Sequence, residues 1–169
     1  MGVKEIRASL RDLSKESLIE FILGLYQKNK SVKEQLDFHF NPNETELLKS
    51  YKIKVLEAFY PKRGDIFHLK VGKKAKSDFI KLKTSIAAQI DLIIYYVECG
   101  VKLTKEYGDI DENFYSSLEG VYLKAMKLIE KTKLHEKFED RAFEIVDETK
   151  NIGWGFHDFL ADIYGDTYK

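Results

Sequence analysis

Apolar residues recur along the chain at helical spacing. Between Lys15 and Lys28, the side chains Leu18, Ile22 and Leu25 return every three or four residues, which places them on one face of an α-helix. No segment of strand length alternates between apolar and polar positions. The pattern therefore predicts an all-α protein.

Capping residues divide this pattern into about eight helices. Ser14, Ser85 and Asp111 each precede a periodic segment, where a short polar side chain caps the first turn. Short connections favour consecutive antiparallel hairpins. We therefore predict a single domain over residues 1–169, either a compact bundle or a short, repeat-like right-handed array. The predicted helices cover about 15–28, 31–40, 42–59, 73–83, 86–107, 112–133, 134–150 and 154–164.

Two helix starts rest on local motifs. Ser31 with Glu34 fits a capping box. Asn41 followed by Pro42 fits a cap and a first-turn proline. Pro61 then stops that helix after Phe59.

The helix predicted over residues 86–107 is apolar around most of its circumference, which is typical of a central helix. Its polar positions, Asp91, Tyr95, Glu98 and Lys102, fall at spacings that place them on one face. This face is either a narrow solvent-exposed strip with a Glu98–Lys102 ion pair or a polar groove beside the core.

The net charge of zero conceals a separation of charge along the sequence. Residues 49–83 contain 11 basic and 3 acidic side chains, whereas residues 106–169 contain 8 basic and 15 acidic ones. Residues 61–74 form a predicted long basic connection. Residues 62–83 are therefore a candidate nucleic-acid surface, or a partner for the acidic third within a monomer or across a dimer. The candidate polyanion-binding residues are Lys62, Arg63, Lys70, Lys73, Lys74 and Lys76.

The segment NIGWGFHDFL, residues 151–160, is the densest candidate for chemistry. Gly153 is expected to end one helix, with Trp154 starting the next and its ring closing the core. Gly155 is less well explained, because a glycine in a first turn costs helix stability unless another backbone approaches closely or a ligand binds there. Too few ligands converge here to predict a metal site. The candidate pocket residues are Trp154, Gly155, His157, Asp158, Glu98, Asp109, Tyr107 and Tyr115.

Several classes of protein are disfavoured. Cys99 is the only cysteine and lies in apolar sequence, so neither a disulfide nor an activated thiolate is expected. The chain contains no glycine-rich phosphate loop, nucleophile elbow or Cys/His catalytic pair. No signal core or membrane-length apolar run is present. We therefore expect a cytoplasmic protein without a cofactor or membrane partner.

Three longer stretches carry a resemblance to a known family: LSKESLIEFILGLYQKN, YYVECGVKLTKEYGDIDENFYSSLEGVYLKA and IGWGFHDFL. Together they resemble small bacterial proteins that are grouped as a domain of unknown function and are common in Bacteroidetes. The resemblance covers nearly the whole chain and implies an all-helical bacterial protein without an assigned activity.

We expect a non-enzymatic helical interaction module that binds a protein or nucleic-acid partner, or a second copy of itself, through a groove or charged face. The alternative is a small enzyme or ligand-binding protein with a polar pocket near Trp154, His157 and Asp158.

Overall fold

In the computed structural model, which describes residues 1–64 and 67–169, the chain is all-α, and no strand occurs within these ranges. The helices found there are α1 Val3–Arg11, α2 Lys15–Lys28, α3 Lys30–Phe40, α4 Glu44–Phe59, α5 Leu69–Lys81, α6 Ile86–Tyr107, α7 Glu112–Thr132, α8 His135–Glu148 and α9 Phe156–Thr167.

The predicted caps that begin α2, α6 and α7 are confirmed. Ser14, Ser85 and Asp111 each accept a hydrogen bond from the backbone N–H three residues further on, at 3.1, 3.2 and 2.9 Å. Gly108, at the end of α6, has φ +87°, a conformation that favours glycine. The helix boundaries set by these residues are therefore a local property of the sequence.

Other predicted starts are wrong. Asn29, rather than Ser31, caps α3, because its side chain accepts from two backbone N–H groups of the first turn. Helix α4 begins at Glu44, so Pro42 precedes it and does not occupy its first turn. Helix α1 was not predicted from its pattern of apolar positions. Its first turn is held by the Glu5 carboxylate, which accepts a hydrogen bond from the Gly2 N–H at 2.9 Å.

The predicted long connection over 61–74 is shorter than expected, because α5 begins at Leu69. Residues 65–66 of that connection lie outside the described residues. Gly72, inside the predicted connection, lies within α5, where a Cβ atom would be 2.9 Å from the Tyr96 ring and 3.3 Å from Ala58. This glycine therefore permits close packing.

The structure divides into two compact units, and the prediction of a single domain stays a prediction. The first unit, Met1–Asn43, consists of α1 to α3, and none of its residues is buried. Within it, the Tyr26 hydroxyl on α2 donates to the Asp37 carboxylate on α3 at 2.8 Å.

The second unit, Glu44–Lys169, is a compact helical bundle built around α6. Helix α6 packs against α4, α5, α7 and α8, and thirteen of its 22 residues are buried. At Gly100, a Cβ atom would lie 2.5 Å from Leu118, so α6 and α7 approach closely there. The prediction of a central α6 is confirmed.

Candidate functional sites

The polar face of α6 forms one side of an ion-pair network. Arg141 on α8 donates from Nε and Nη2 to Glu98, at 2.7 and 3.0 Å, and from Nη1 to Asp91, at 2.7 Å. Lys52 on α4 also lies 2.7 Å from Asp91. The four side chains are between 26% and 32% exposed, so the network is screened only partly from water.

This geometry shifts two pKa values. Burial alone would raise the pKa of Asp91, but hydrogen bonds from Lys52 and Arg141 outweigh burial and hold that pKa below its usual value. Burial alone would lower the pKa of Arg141, but Glu98 and Asp91 outweigh it and raise that pKa. The network therefore keeps these groups charged.

The polar face of α6 was predicted to be either a solvent-exposed strip or a polar groove, and in the structure it lines a groove. A cleft of about 480 Å³ runs between α6 and α8, and Lys105 crosses it to Glu148 at 2.7 Å. The Glu98–Lys102 pair does not form, because Glu98 binds Arg141 and Lys102 lies 3.7 Å from Glu106. Sequence reasoning missed Arg141, whose partners are 43 and 50 residues away.

Two of the candidate pocket residues, Asp109 and Tyr115, lie beside the turn before α9. The Tyr115 hydroxyl donates to Asp109 Oδ1 at 3.0 Å, and a Cβ atom on Gly153 would lie 3.4 Å from Asp109 Oδ2. The Tyr115 and Phe156 rings pack at 5.0 Å. Asp109 thus connects the start of α7 with the turn before α9.

Trp154 does not close the core, and its predicted place in a helix is wrong. It lies in the turn before α9 and is 59% exposed. Its φ is +62°, that of Gly155 is +68°, and Phe156 donates to the Gly153 carbonyl at 3.2 Å, a pattern typical of a type I′ turn. A bulky residue at positive φ is strained. Gly155 is therefore explained by the turn conformation.

His157 and Asp158 do not line one pocket together. His157 Nδ1 lies 3.1 Å from Thr149 Oγ1 and 3.2 Å from the Val146 carbonyl, at the end of α8. Asp158 is exposed in the first turn of α9, where the helix dipole favours a carboxylate. The local contacts of His157 connect α9 to the end of α8.

Tyr107 lines a different feature, a cleft of about 320 Å³ beside the end of α4. It is 74% exposed, whereas the Tyr60 hydroxyl in the same cleft is buried, with the Glu106 carboxylate as its nearest polar neighbour among the described residues. Burial, together with the nearby Glu106 carboxylate, raises the pKa of Tyr60. The cleft is otherwise lined by Phe59, Pro61, Gly64, Phe67, Leu103 and Ile110.

The basic residues predicted to bind polyanions fall into three groups. Lys62 is paired with Glu57 at 2.8 Å, and Lys74 with Asp78 at 2.5 Å. Arg63, Lys70 and Lys73 are exposed. Lys76 is only 9% exposed. The freely exposed positive charge is therefore smaller than the sequence count suggests.

Lys76 belongs to a cluster that the sequence did not reveal. Its Nζ lies 4.9 Å from the centre of the Tyr96 ring, and burial lowers its pKa to about 8, with further lowering by Lys124 and Lys73. The buried hydroxyls of Tyr96 and Ser117 lie close to each other, and among the described residues neither has another hydrogen-bond partner. These residues come from α5, α6 and α7.

Two further observations concern metals and membranes. Within residues 1–64 and 67–169, no group of three or more His, Cys, Asp or Glu side chains is arranged to hold a metal ion. No helix in the described part of the chain combines the length and apolar character needed to cross a membrane. Cys99 is buried, and burial raises its pKa to about 12, so its thiol is protonated at neutral pH.

A family model described as a family of unknown function, DUF6155, matches residues 1–167. Comparison with curated proteins and with solved structures gave no match.

Proposed function

The chain belongs to the DUF6155 family of unknown function, and within it we propose a non-enzymatic helical interaction module whose N-terminal unit binds a protein partner. The observation that carries the proposal is the exposure of α2. Its large apolar side chains are between 41% and 52% exposed, and they are Ile19, Phe21, Ile22, Leu23 and Leu25. These side chains cover more than half of the helix circumference, and so wide an apolar surface is normally buried, so α2 is expected to be covered by another protein.

The size of the unit strengthens this argument. Met1–Asn43 contains no buried residue, and units of about 40 residues usually need oligomerisation, a metal or a disulfide to be stable. Cys99, the only cysteine, lies outside this unit. Covering α2 would supply the apolar burial that α1 to α3 lack.

A second copy of the same chain is the proposed partner. The unit carries seven basic and six acidic side chains, so two copies do not repel strongly. Two α2 helices packed antiparallel and centred on Ile22 would place Glu16 opposite Lys28 at both ends, with apolar residues between.

Sedimentation equilibrium over a concentration series tests the proposal. We expect a reversible dimer in the native protein and a monomer in Ile22→Glu. The matched control is Ile53→Glu on α4, because Ile53 is 50% exposed and Ile22 is 45% exposed. A native protein that stays monomeric at the highest concentration, or dimers of equal strength in both variants, would contradict self-association.

Charge reversal tests the antiparallel register. Glu16→Lys alone would place two lysines opposite each other and weaken the dimer, whereas Glu16→Lys with Lys28→Glu would restore it. Restoration in the double variant supports this pairing. If the loss of dimer affinity in the double variant equals the sum of the losses in Glu16→Lys and Lys28→Glu alone, the register is ruled out.

A small enzyme or ligand-binding protein is the second candidate, and the strained Trp154 favours it, because such strain concentrates at functional sites. Trp154 is the only tryptophan, so its fluorescence reports directly on a ligand bound at the turn. A saturable change with a nucleotide, sugar or amino acid, lost in Asp109→Asn, would support a site there. Unchanged fluorescence across these classes would argue against it.

A further inference from the structure

Helix α8 exposes a large aromatic ring on its outer face. Phe143 is 52% exposed, although phenylalanine is among the residues that are most often buried. Its ring packs against the Tyr164 ring of α9, with the ring centres 5.8 Å apart, and Tyr164 stacks on Tyr168 at 4.7 Å. These three rings form a continuous aromatic row across α8 and α9, and Phe143 is its exposed end.

Two carboxylates flank this end of the row. Glu139 and Asp140 lie one turn before Phe143 on α8, and residues at this spacing are neighbours on a helix surface. Both are exposed, and neither is paired with a cation among the described residues. Burial raises the pKa of Tyr164, and Glu139 and Asp140 raise it further, which agrees with their position beside the row. Phe143 therefore lies next to two negative charges that the described chain does not balance.

A third unpaired carboxylate follows Phe143 in the sequence and lies at the cleft between α6 and α8. Four carboxylates and three cations line this cleft, which has a volume of about 480 Å³. Arg141, Lys102 and Lys105 each pair with one of these carboxylates. Glu144 has no cationic partner within the described residues. The cleft therefore has both the space and the charge for one further cationic group.

The wider surroundings of α8 carry the same sign of charge. Residues 134–169 contain nine acidic and four basic side chains. Three of the four basic side chains, Arg141, Lys150 and Lys169, are already paired with carboxylates. A surface with this excess of negative charge attracts basic partners and repels nucleic acids and other polyanions. Charge complementarity therefore selects a basic partner for α8.

We propose that the outer face of α8 binds an arginine-rich segment of a protein partner. This face consists of Glu139, Asp140, Phe143 and Glu144. Arginine fits it because the guanidinium group stacks on an aromatic ring and also pairs with a carboxylate through two parallel hydrogen bonds. The unpaired carboxylates lie on both sides of Phe143, so a chain with several basic side chains fits better than a single small cation. The face lies within the second unit and is independent of the proposed self-association through α2.

Fluorescence anisotropy with a labelled synthetic peptide, in which arginine alternates with serine, tests the proposal at physiological ionic strength. We expect saturable binding to the native protein. Glu139→Gln with Asp140→Asn should weaken binding about fivefold, because two exposed ion pairs are lost. The matched control is Glu112→Gln with Glu130→Gln on α7, which removes the same charge from exposed positions. Equal weakening in the two double variants, or no saturable binding, would overturn the proposal.

The aromatic ring is tested with Phe143→Leu, which keeps an apolar side chain and removes the ring. We expect about threefold weaker binding of the arginine peptide, because an exposed cation–π contact has this strength. Phe143→Tyr retains a ring and should bind as the native protein does. The matched control is Val71→Ala on α5, where the native side chain is 54% exposed and a change should have no effect. Unchanged binding in Phe143→Leu would contradict a role for the ring.

The amide spectrum of the native protein locates the bound peptide without any variant. The arginine peptide should shift the signals of Glu139, Phe143 and Glu144 and leave the signals of α2 in place. Glu144→Gln should reduce the shifts of the residues that line the cleft. Shifts confined to residues outside α8 would overturn the proposed surface.

Two further probes decide the class of partner. A peptide with lysine in place of arginine should bind more weakly, because lysine lacks the planar, forked geometry that pairs with a carboxylate and stacks on a ring. Equally tight binding of the lysine peptide would overturn the preference for arginine. Spermidine that displaces the arginine peptide at similar concentrations would overturn the assignment to a protein segment in favour of a small polyamine.

Discussion

Arg141 on α8 binds Glu98 on α6 through two parallel hydrogen bonds, Nε to Oε1 at 2.7 Å and Nη2 to Oε2 at 3.0 Å. Its remaining terminal nitrogen, Nη1, donates to Asp91, about two turns before Glu98 on α6, at 2.7 Å. The guanidinium bridges two carboxylates that would otherwise repel each other along the central helix, and together with Lys52 it balances their charge. The planar, forked geometry of arginine makes this arrangement possible, and lysine cannot reproduce it.

Replacing Arg141 with methionine is expected to destabilise the fold by about 2 kcal/mol. A fully buried pair broken on one side costs about 3–5 kcal/mol, and the cost is lower here because these side chains are about a third exposed. Urea unfolding measures the change, with Arg141→Lys as the control that keeps the charge. An Arg141→Lys variant as stable as the native protein would show that the forked geometry contributes nothing.

Asp91 gives the network a pH dependence at the acid end. Its pKa is held below the ordinary value of 3.8, because hydrogen bonds from Lys52 and Arg141 outweigh the effect of burial. The stabilising contribution of Asp91 is therefore fully present above that value and is lost as the pH falls through the lowered folded-state pKa. We expect the stability advantage of the native protein over Asp91→Asn to shrink below pH 4. An advantage that stays constant down to pH 2 would refute this.

Lys76 makes the stability of the fold depend on pH at the alkaline end, and here burial is the main cause of the pKa shift. Its pKa is lowered from 10.5 to about 8, mainly by burial, so the unfolded chain binds more protons above pH 8. Stability should then rise by about 1.5 kcal/mol between pH 8 and 9.5. Lys76→Met should remove this rise and be more stable than the native protein at pH 7, whereas Lys74→Met should retain it. Urea unfolding at several pH values measures the free energy of unfolding. A free energy that stays constant between pH 8 and 9.5 in the native protein would contradict this prediction.

Lys133 ends α7 with φ +56°, in the left-handed region that favours glycine. Lys133→Gly is therefore expected to stabilise the protein by about 1 kcal/mol. The matched control is Lys131→Gly, two residues earlier within α7, which should destabilise by about 1 kcal/mol. Thermal unfolding measures both changes. If the unfolding temperatures of the two variants shift in the same direction, the left-handed backbone conformation at Lys133 is not the cause of the stability change.

Nucleic-acid binding through residues 62–83 stays a prediction, and the structure identifies the residues with which to test it. Lys70 and Lys73 are exposed on α5, whereas Lys74 is paired and Lys76 is buried. Fluorescence anisotropy with DNA and RNA should show binding that weakens with salt, and Lys70→Glu with Lys73→Glu should reduce the salt slope by about 1 per lysine. The control is Lys127→Glu with Lys131→Glu on α7. No binding at low salt would remove nucleic acid as a partner.

The sequence by itself determined the fold class and the helix ends that depend on neighbouring residues. Ser14, Ser85 and Asp111 act as caps because each needs only the N–H three residues away. The central position of α6 followed from its apolar circumference. The start of α5 was predicted less well, since Gly72 has a tertiary packing role that is indistinguishable from a loop signal in the sequence.

Only the tertiary structure decided which polar side chains meet. Arg141 reaches partners 43 and 50 residues away, and Lys76 lies beside Tyr96 and Lys124 from two other helices. A sequence pattern records which face of a helix a residue occupies, but not which helix covers that face. Burial then decides the chemistry, because the same lysine is a solvated charge on an open face and an unpaired cation with a lowered pKa between packed helices.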